Sequence, residues 1–261
     1  MTESTDARGS EWAAWRAEQI DFLTRVLVDV ARDLARRVPP PRGMPFFGLD
    51  HPAGEFTPYE RLAARGIFRK YESVLLVGAG LGGAARWCHA HFGCDVTGTD
   101  SVAAASAFAS ELSARARLGK HTRFVAASPD RLPLRGGTFT HAWIVEGHLD
   151  LAGDDPRLHQ IFGAVRLGGL AAVQQSGAPK AWASRAREAM AAAGFAEVEV
   201  QLVERQPLRE TLRRARERLL QELKAAREEP AAEAAALLEA VYGRWSPEGG
   251  PVTQVFGRRP A

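Results

Sequence analysis

Three glycines and one aspartate carry the first chemical signal in this chain. In Ser73–Asp100, SVLLVGAGLGGAARWCHAHFGCDVTGTD, residues Gly78, Gly80 and Gly83 satisfy G-x-G-x-x-G directly after an apolar run. Glycine lets the backbone turn tightly and approach a ligand, and helix N–H groups at Leu81–Gly83 would face an anion or carboxylate. Asp100 follows Gly80 by twenty residues. A carboxylate there can accept two hydrogen bonds from the vicinal hydroxyls of a ribose. NAD, FAD and S-adenosylmethionine all carry such a ribose. These residues therefore describe an adenosyl site without choosing its ligand.

A second cluster, Glu146-Gly147-His148, joins a carboxylate to an imidazole. With its ordinary pKa near ~6.5, an imidazole can take up a proton at neutral pH and suits a general base. Residues 146 and 148 share a face on an extended chain but not on a helix. His141 alternates along an apolar run and reads as structural, while His51, His89 and His91 show no partner spacing. Cys88 and Cys94 fit neither a zinc site nor a C-x-x-C redox pair and read as buried, reduced thiols. No metal site is expected.

Those residues need a scaffold. Val74–Val77 is a continuous apolar run, as in a strand buried on both faces, and Leu81–Phe92 reads as a helix. Further strands are expected at Asp95–Thr99, Arg123–Ala127, Phe139–Val145, Leu170–Val173, Ala196–Val203 and Pro251–Gly257. Helices are expected in the alanine-rich segment through Ser113, at Pro156–Val165 and at Ala178–Ala193. This alternation implies an α/β, Rossmann-like, doubly wound sheet.

Ahead of it, Glu11–Arg37 lays Trp12, Trp15, Ile20, Leu23, Leu27, Val30 and Leu34 along one helical stripe, ended by Val38-Pro39-Pro40-Pro41. The Pro- and aromatic-rich segment 42–60 reads as a lid or a packed connector. Residues 1–58 thus form an N-terminal helix and lid or connector, and 59–261 an α/β domain with a helical cover at 207–243. Within that cover Leu208, Leu212, Leu219 and Leu223 mark an amphipathic helix.

Bulk properties narrow the classes. The chain has 261 residues, 46% apolar and 25% charged, which are globular values. A net charge of +3, with Arg interleaved among Glu, does not indicate a nucleic-acid groove. The stretch MTESTDARGSEW lacks the basic and apolar regions of a secretory signal, and no apolar run approaches a membrane span. The expected location is cytoplasmic.

In order and spacing, the segments after the glycine loop and Asp100 discriminate further. SPDRLPLRGGTFTHAWIVEGH, VRLGGLAAVQQ, AGFAEVEVQLVER and VTQVFGRRP resemble class I S-adenosylmethionine-dependent methyltransferases over roughly Tyr59 to Pro260. The pattern is most similar to small-molecule enzymes of the sterol, tocopherol and sarcosine type. The resemblance implies a seven-stranded sheet whose antiparallel last strand lies between the fifth and sixth. It also implies a helical cover over the substrate, S-adenosylmethionine as cofactor, and a small acceptor methylated at O or C.

By the same resemblance Gly78, Ala79, Gly80, Leu81 and Gly82 wrap the methionine part of the cofactor. Asp100 binds ribose, Ser101 and Val102 lie beside the adenine edge, and Ala127, Ser128, Pro129 and Asp130 cap adenine. Glu146 matches the acid found after the fourth strand; it would orient His148, the candidate base, or hold a substrate hydroxyl. Trp12 and Trp15 would pack within the chain, line a pocket or meet a second subunit, as a homodimer or partner.

Three positions depart from the family pattern. Leu76 stands for an acid before the glycine loop, Ser128 for the aspartate that binds the adenine amine, and Thr140 for the acid before the fourth strand. Each lost charge-assisted hydrogen bond would weaken cofactor binding by roughly tenfold to a hundredfold. These departures keep open a non-catalytic, methyltransferase-like partner or binding protein. The literal G-x-G-x-x-G keeps open a nicotinamide or flavin oxidoreductase.

Overall fold

A computed structural model describes residues 57–65, 70–145, 155–178, 180–204 and 252–261, together with isolated positions between 28 and 36 and between 214 and 224. The elements run α1 (Thr57–Ala64), β1 (Ser73–Val77), α2 (Gly83–Phe92), β2 (Asp95–Asp100), α3 (Ala103–Arg115), β3 (Thr122–Ala126) and β4 (Phe139–Val145). They continue with α4 (Pro156–Ala164), β5 (Val165–Ser176), α5 (Lys180–Ala192), β6 (Ala196–Val203) and β7 (Val252–Arg258).

Among the described residues seven strands form one sheet in the order β3-β2-β1-β4-β5-β7-β6. Strands β1 to β5 pair in parallel, while β7 pairs antiparallel with both β5 and β6. The inserted antiparallel strand departs from the six-stranded 3-2-1-4-5-6 order of dinucleotide-binding sheets.

Alternation along β1 builds both faces of the core. Leu75 and Val77 join Ile144, Leu158, Ile161, Trp182, Met190 and Val255 on one face. Val74 and Leu76 join Tyr59, Leu62, Trp87, Cys88, Trp143 and Phe256 on the other. Successive strand side chains point to opposite faces, so a run such as VLLV feeds two layers at once. Near the N-terminus, Val28, Ala31 and Ala35 are buried and Asp29, Arg32 and Arg36 exposed, as one stripe of a helix requires. The Arg115 guanidinium donates to the carbonyl oxygen of Ala35 at 2.7 Å, tying that helix to α3.

Two elements differ from expectation: the end of segment 42–60, expected as a lid or connector, is helical from Thr57 in α1 and buries Tyr59, and α4 stops short of Val165. Val165 is not the end of a helix: it caps α4 with an extended backbone (φ −75°, ψ 138°) and opens β5, which is longer than Leu170–Val173. The pairing with β4 slips here, from Phe139↔Val165 to His141↔Leu170, with Gly168 at φ +73° inside the slip. A β-branched valine favours the strand, and Gly168 permits the bulge.

Residues 1–27, 37–56 and 225–251 lie outside the described residues, so Trp12, Trp15 and most of the helical cover go without a structural account. Arg214, Glu217, Leu220, Gln221 and Lys224, which belong to the cover, are helical. Among the described residues no helix is long and apolar enough to cross a membrane.

Candidate cofactor site

The carboxyl end of β1 turns into α2 through a loop with three left-handed glycines: Gly78 at φ +76°, Gly80 at +52° and Gly82 at +77°. Gly83 is simply the first residue of α2. The geometry therefore selects G-x-G-x-G rather than the literal G-x-G-x-x-G. A Cβ built on Gly82 would lie 2.5 Å from the ring of Phe124 and 3.1 Å from Cβ of Ala109. At Gly78 and Gly80 an added Cβ meets nothing within 4 Å among the described residues, so the backbone there is uncovered by them.

Hydrogen bonds fix this loop to β2. The N–H groups of Gly78 and Ala79 both donate to the carbonyl of Thr99 at 2.9 Å, and Gly82 N–H donates to Ala79 O at 2.9 Å. The fully buried Arg86 donates from its guanidinium to Leu81 O at 2.9 Å, holding the loop from below. Because α2 has Gly82 as N-cap and no capping side chain, its first-turn N–H groups precede the intrahelical ladder.

Asp100 ends β2 beside the loop. One carboxylate oxygen accepts from Gly80 N–H at 2.8 Å and the other from Val102 N–H at 2.9 Å. These two bonds fix the direction in which the carboxylate points. Asp100 O also accepts from Ala127 N–H at 2.9 Å, which carries the β2–β3 pairing past the strand ends. That bond brings Ala127 and Ser128 alongside Asp100, Ser101 and Val102. Ser101 and Ser128 are exposed, Val102 is buried and Pro129 half-buried.

Asp130 is engaged locally. Its N–H donates to Ser128 Oγ at 3.3 Å, its carboxylate faces the same hydroxyl at 3.5 Å, and Arg157 lies 3.9 Å away on its other side. Arg157 is itself doubly bonded to Asp155, at 2.9 and 2.6 Å.

The structure relocates one of the departures. Thr140 stands at the amino edge of β4, opposite the loop, where its hydroxyl accepts from Ser73 N–H at 3.0 Å and lies 2.9 Å from Ser73 O. Its replacement of an acid bears on strand pairing and not on a cofactor contact. Leu76 is 3% exposed and packs in the core with Tyr59 and Trp143. Glu146 and His148 lie outside the described residues; the chain is described up to Val145 at the end of β4. Half-buried Phe124 carries none of the polar or glycine signals used above, yet its ring abuts the loop at Gly82.

The remaining titratable candidates are structural. Burial pushes the Cys94 thiol up to about 12 and the Cys88 thiol well above its ordinary value, with the neighbouring thiol adding to the latter; both are inert at neutral pH. Burial lowers His141 to about 4, against an opposing pull from Glu72.

Comparison with known proteins gives this geometry a context. Residues 74–169 match the family model described as a methyltransferase domain. No curated protein sequence is significantly similar to the chain. The solved structure of the (4+2)-cyclase SpnF is similar at TM-score 0.61 and 19% identity, covering 77% of this chain and 79% of that one. A phosphoethanolamine N-methyltransferase of Haemonchus contortus, with S-adenosylhomocysteine bound, is similar at 0.57 and 17%, covering 78% of this chain and 52% of that one. A geranyl diphosphate methyltransferase in complex with S-adenosylmethionine matches at 0.51 and 20%, covering 78% and 85%. Residues 74–169 match a methyltransferase-domain model, and the sheet built around them has the fold of the S-adenosylmethionine-dependent methyltransferases it resembles.

Proposed function

We propose that the chain is an S-adenosylmethionine-dependent methyltransferase acting on a small metabolite, by O- or C-methylation. The observation that carries this reading is the backbone at Gly78 and Gly80, uncovered by the described residues, beside a carboxylate already aimed by two N–H groups. Those residues fit the cofactor. Gly78–Gly82 and the first turn of α2 would hold the methionine end, Asp100 the ribose hydroxyls, and Ser101, Val102, Ser128 and Pro129 the adenine. Bound there, the cofactor supplies a methyl group already activated on a sulfonium.

The protein's share of the work is alignment and exclusion of water. His148, three residues after the fully buried strand β4 ends at Val145, would take a proton from an acceptor hydroxyl or carbon acid, oriented by Glu146. Residues 42–59 and the cover at 207–243 would close over the acceptor.

A second reading keeps the fold and drops the chemistry: a methyltransferase-like partner or binding protein. Ser128 at the adenine position, with Asp130 occupied by Ser128 and Arg157, favours it.

Calorimetric titration with S-adenosylmethionine and S-adenosylhomocysteine tests the first reading. Saturable binding is expected, weakened by roughly tenfold to a hundredfold in Asp100→Asn, which loses the charge that strengthens the ribose bonds. Absence of binding at millimolar ligand by folded protein would remove it. Binding without turnover on any supplied acceptor, and unchanged in His148→Gln, would favour the second reading.

A further inference from the structure

The three side chains His89, Asp95 and His121 meet at the amino edge of the sheet, the end of β2 away from Asp100. One ring nitrogen from each histidine and one oxygen from the aspartate all lie within 4.8 Å of one another. Five residues of strand separate Asp95 from Asp100, about 16 Å. The cluster is therefore distinct from the cofactor site.

Backbone geometry makes the meeting. Gly93 caps α2 in a left-handed conformation (φ +77°), with its N–H donating to His89 O at 2.7 Å, so the chain doubles back and Cys94 O returns beside the His89 ring. Parallel pairing of β2 with β3 sets Val96 opposite Thr122, and Val96 N–H donates to His121 O at 2.8 Å. Residues 95 and 121, just ahead of that pair, are thus neighbours by register. The imidazoles of His89 and His121 stack with centroids 4.3 Å apart and planes 9° from parallel.

The hydrogen bonds also decide where the lone pairs are. His89 Nδ1 lies 2.8 Å from Cys94 O, and a carbonyl only accepts, so Nδ1 carries the proton and Nε2 the lone pair. A backbone carbonyl on the far nitrogen is the usual arrangement that orients a metal-binding histidine and raises its basicity. His121 Nδ1 lies 2.8 Å from an oxygen of Asp95, giving a carboxylate–imidazole pair. His121 and Asp95 are half-exposed or more, so an ion can reach them from solvent.

We propose that His89, Asp95 and His121 bind a divalent transition-metal ion of the zinc type, which clips the end of α2 to the starts of β2 and β3. Two imidazoles and one carboxylate suit zinc and its neighbours better than magnesium or calcium, which take oxygen ligands. With bonds of about 2.0–2.1 Å, tetrahedral ligands stand about 3.3 Å apart, so the cluster must draw in slightly. The exposed His121 and Asp95 side chains supply that movement by turning, while His89 stays fixed by Cys94.

The test is calorimetric titration of the tag-free, full-length chain with zinc chloride, paired with thermal melts. One saturable equivalent is expected, together with a rise in melting temperature, because an ion that binds only the folded state stabilises it. His121→Gln and Asp95→Asn, both at the surface, should each weaken binding about tenfold or more while leaving the far-ultraviolet spectrum unchanged. His89→Gln should do the same. Absence of saturable binding at high micromolar zinc would overturn the proposal, as would binding that survives both surface substitutions in folded protein.

Discussion

Gly82 shows how one residue can serve both the fold and the site. Its φ of +77° is a conformation that side chains resist, and Phe124 leaves no room for a methyl group. Gly82→Ala should cost about 2–4 kcal/mol, combining backbone strain with overpacking, and should be read in a urea melt. Cofactor binding should fall with it, since the loop's position depends on Phe124 seating against the glycine. A variant with unchanged midpoint would show that the loop relaxes freely.

His141 gives a pH signature at the same scale. It is 4% exposed, and burial chiefly holds it near 4, with Arg166 and Arg258 adding to burial and Glu72 opposing. An unfolded histidine titrates near ~6.5. Above that value both states are neutral and His141 contributes nothing to pH dependence. As pH falls from 6.5 towards 4, the unfolded chain takes up a proton that the folded chain refuses, and stability drops by about 3 kcal/mol. In His141→Gln this share of the acid sensitivity should vanish, measured as the difference between the two proteins' unfolding free energies across that window. Equal slopes would mean that the folded ring takes up its proton as readily as the unfolded one.

At the scale of elements, the turn from α4 into β5 relies on a residue from the far end of the chain. The Arg259 guanidinium donates to the carbonyls of Phe162, Gly163 and Val165 at 2.9, 3.1 and 2.7 Å and stacks 4.8 Å over the Phe162 ring. A cation on the last carbonyls of a helix satisfies orphan acceptors and opposes the dipole. Arg259→Ala should therefore cost about 1–3 kcal/mol in a chemical melt, with Arg259→Lys recovering part of the loss.

The same elements show what a sequence can disclose. Strand β1 and the place of Asp100 at the end of β2 were legible because a strand, a glycine turn, a helix and a second strand take a fixed length of chain. The stretch GLGG was ambiguous, and only Phe124 and Ala109 determine that Gly82 is the crowded glycine. Val165 was misread because helical and strand apolar spacings overlap over a few residues. The His89–Asp95–His121 cluster was invisible, since intervals of six and twenty-six residues match no local motif; parallel register brings them together. Thr140 was read as a cofactor-site loss because alignment along the chain does not tell one edge of a sheet from the other.

The whole molecule is closed by its last strand. Seven residue pairs join β7 to β5 and six join it to β6, and among the described residues β6 pairs with the sheet through β7 alone. Val252, Val255 and Phe256 are buried at 2%, 0% and 5% exposure, so β7 fills the core as well as bridging strands. Burying three such side chains is worth about 1.5–3 kcal/mol each, comparable in sum with the ~5–15 kcal/mol that holds a typical domain together. Removing residues 252–261 should therefore abolish the cooperative unfolding transition rather than lower its midpoint. The loss would be seen as a missing near-ultraviolet dichroism signal and a broad, sloping melt. The point substitution Val255→Ala should keep a sharp transition at reduced stability, by about 2–4 kcal/mol, because it leaves a cavity but keeps the ladder of backbone hydrogen bonds. If the truncated chain still melted sharply near the full-length midpoint, β1 to β5 would be a self-sufficient unit and β6–β7 an appendage.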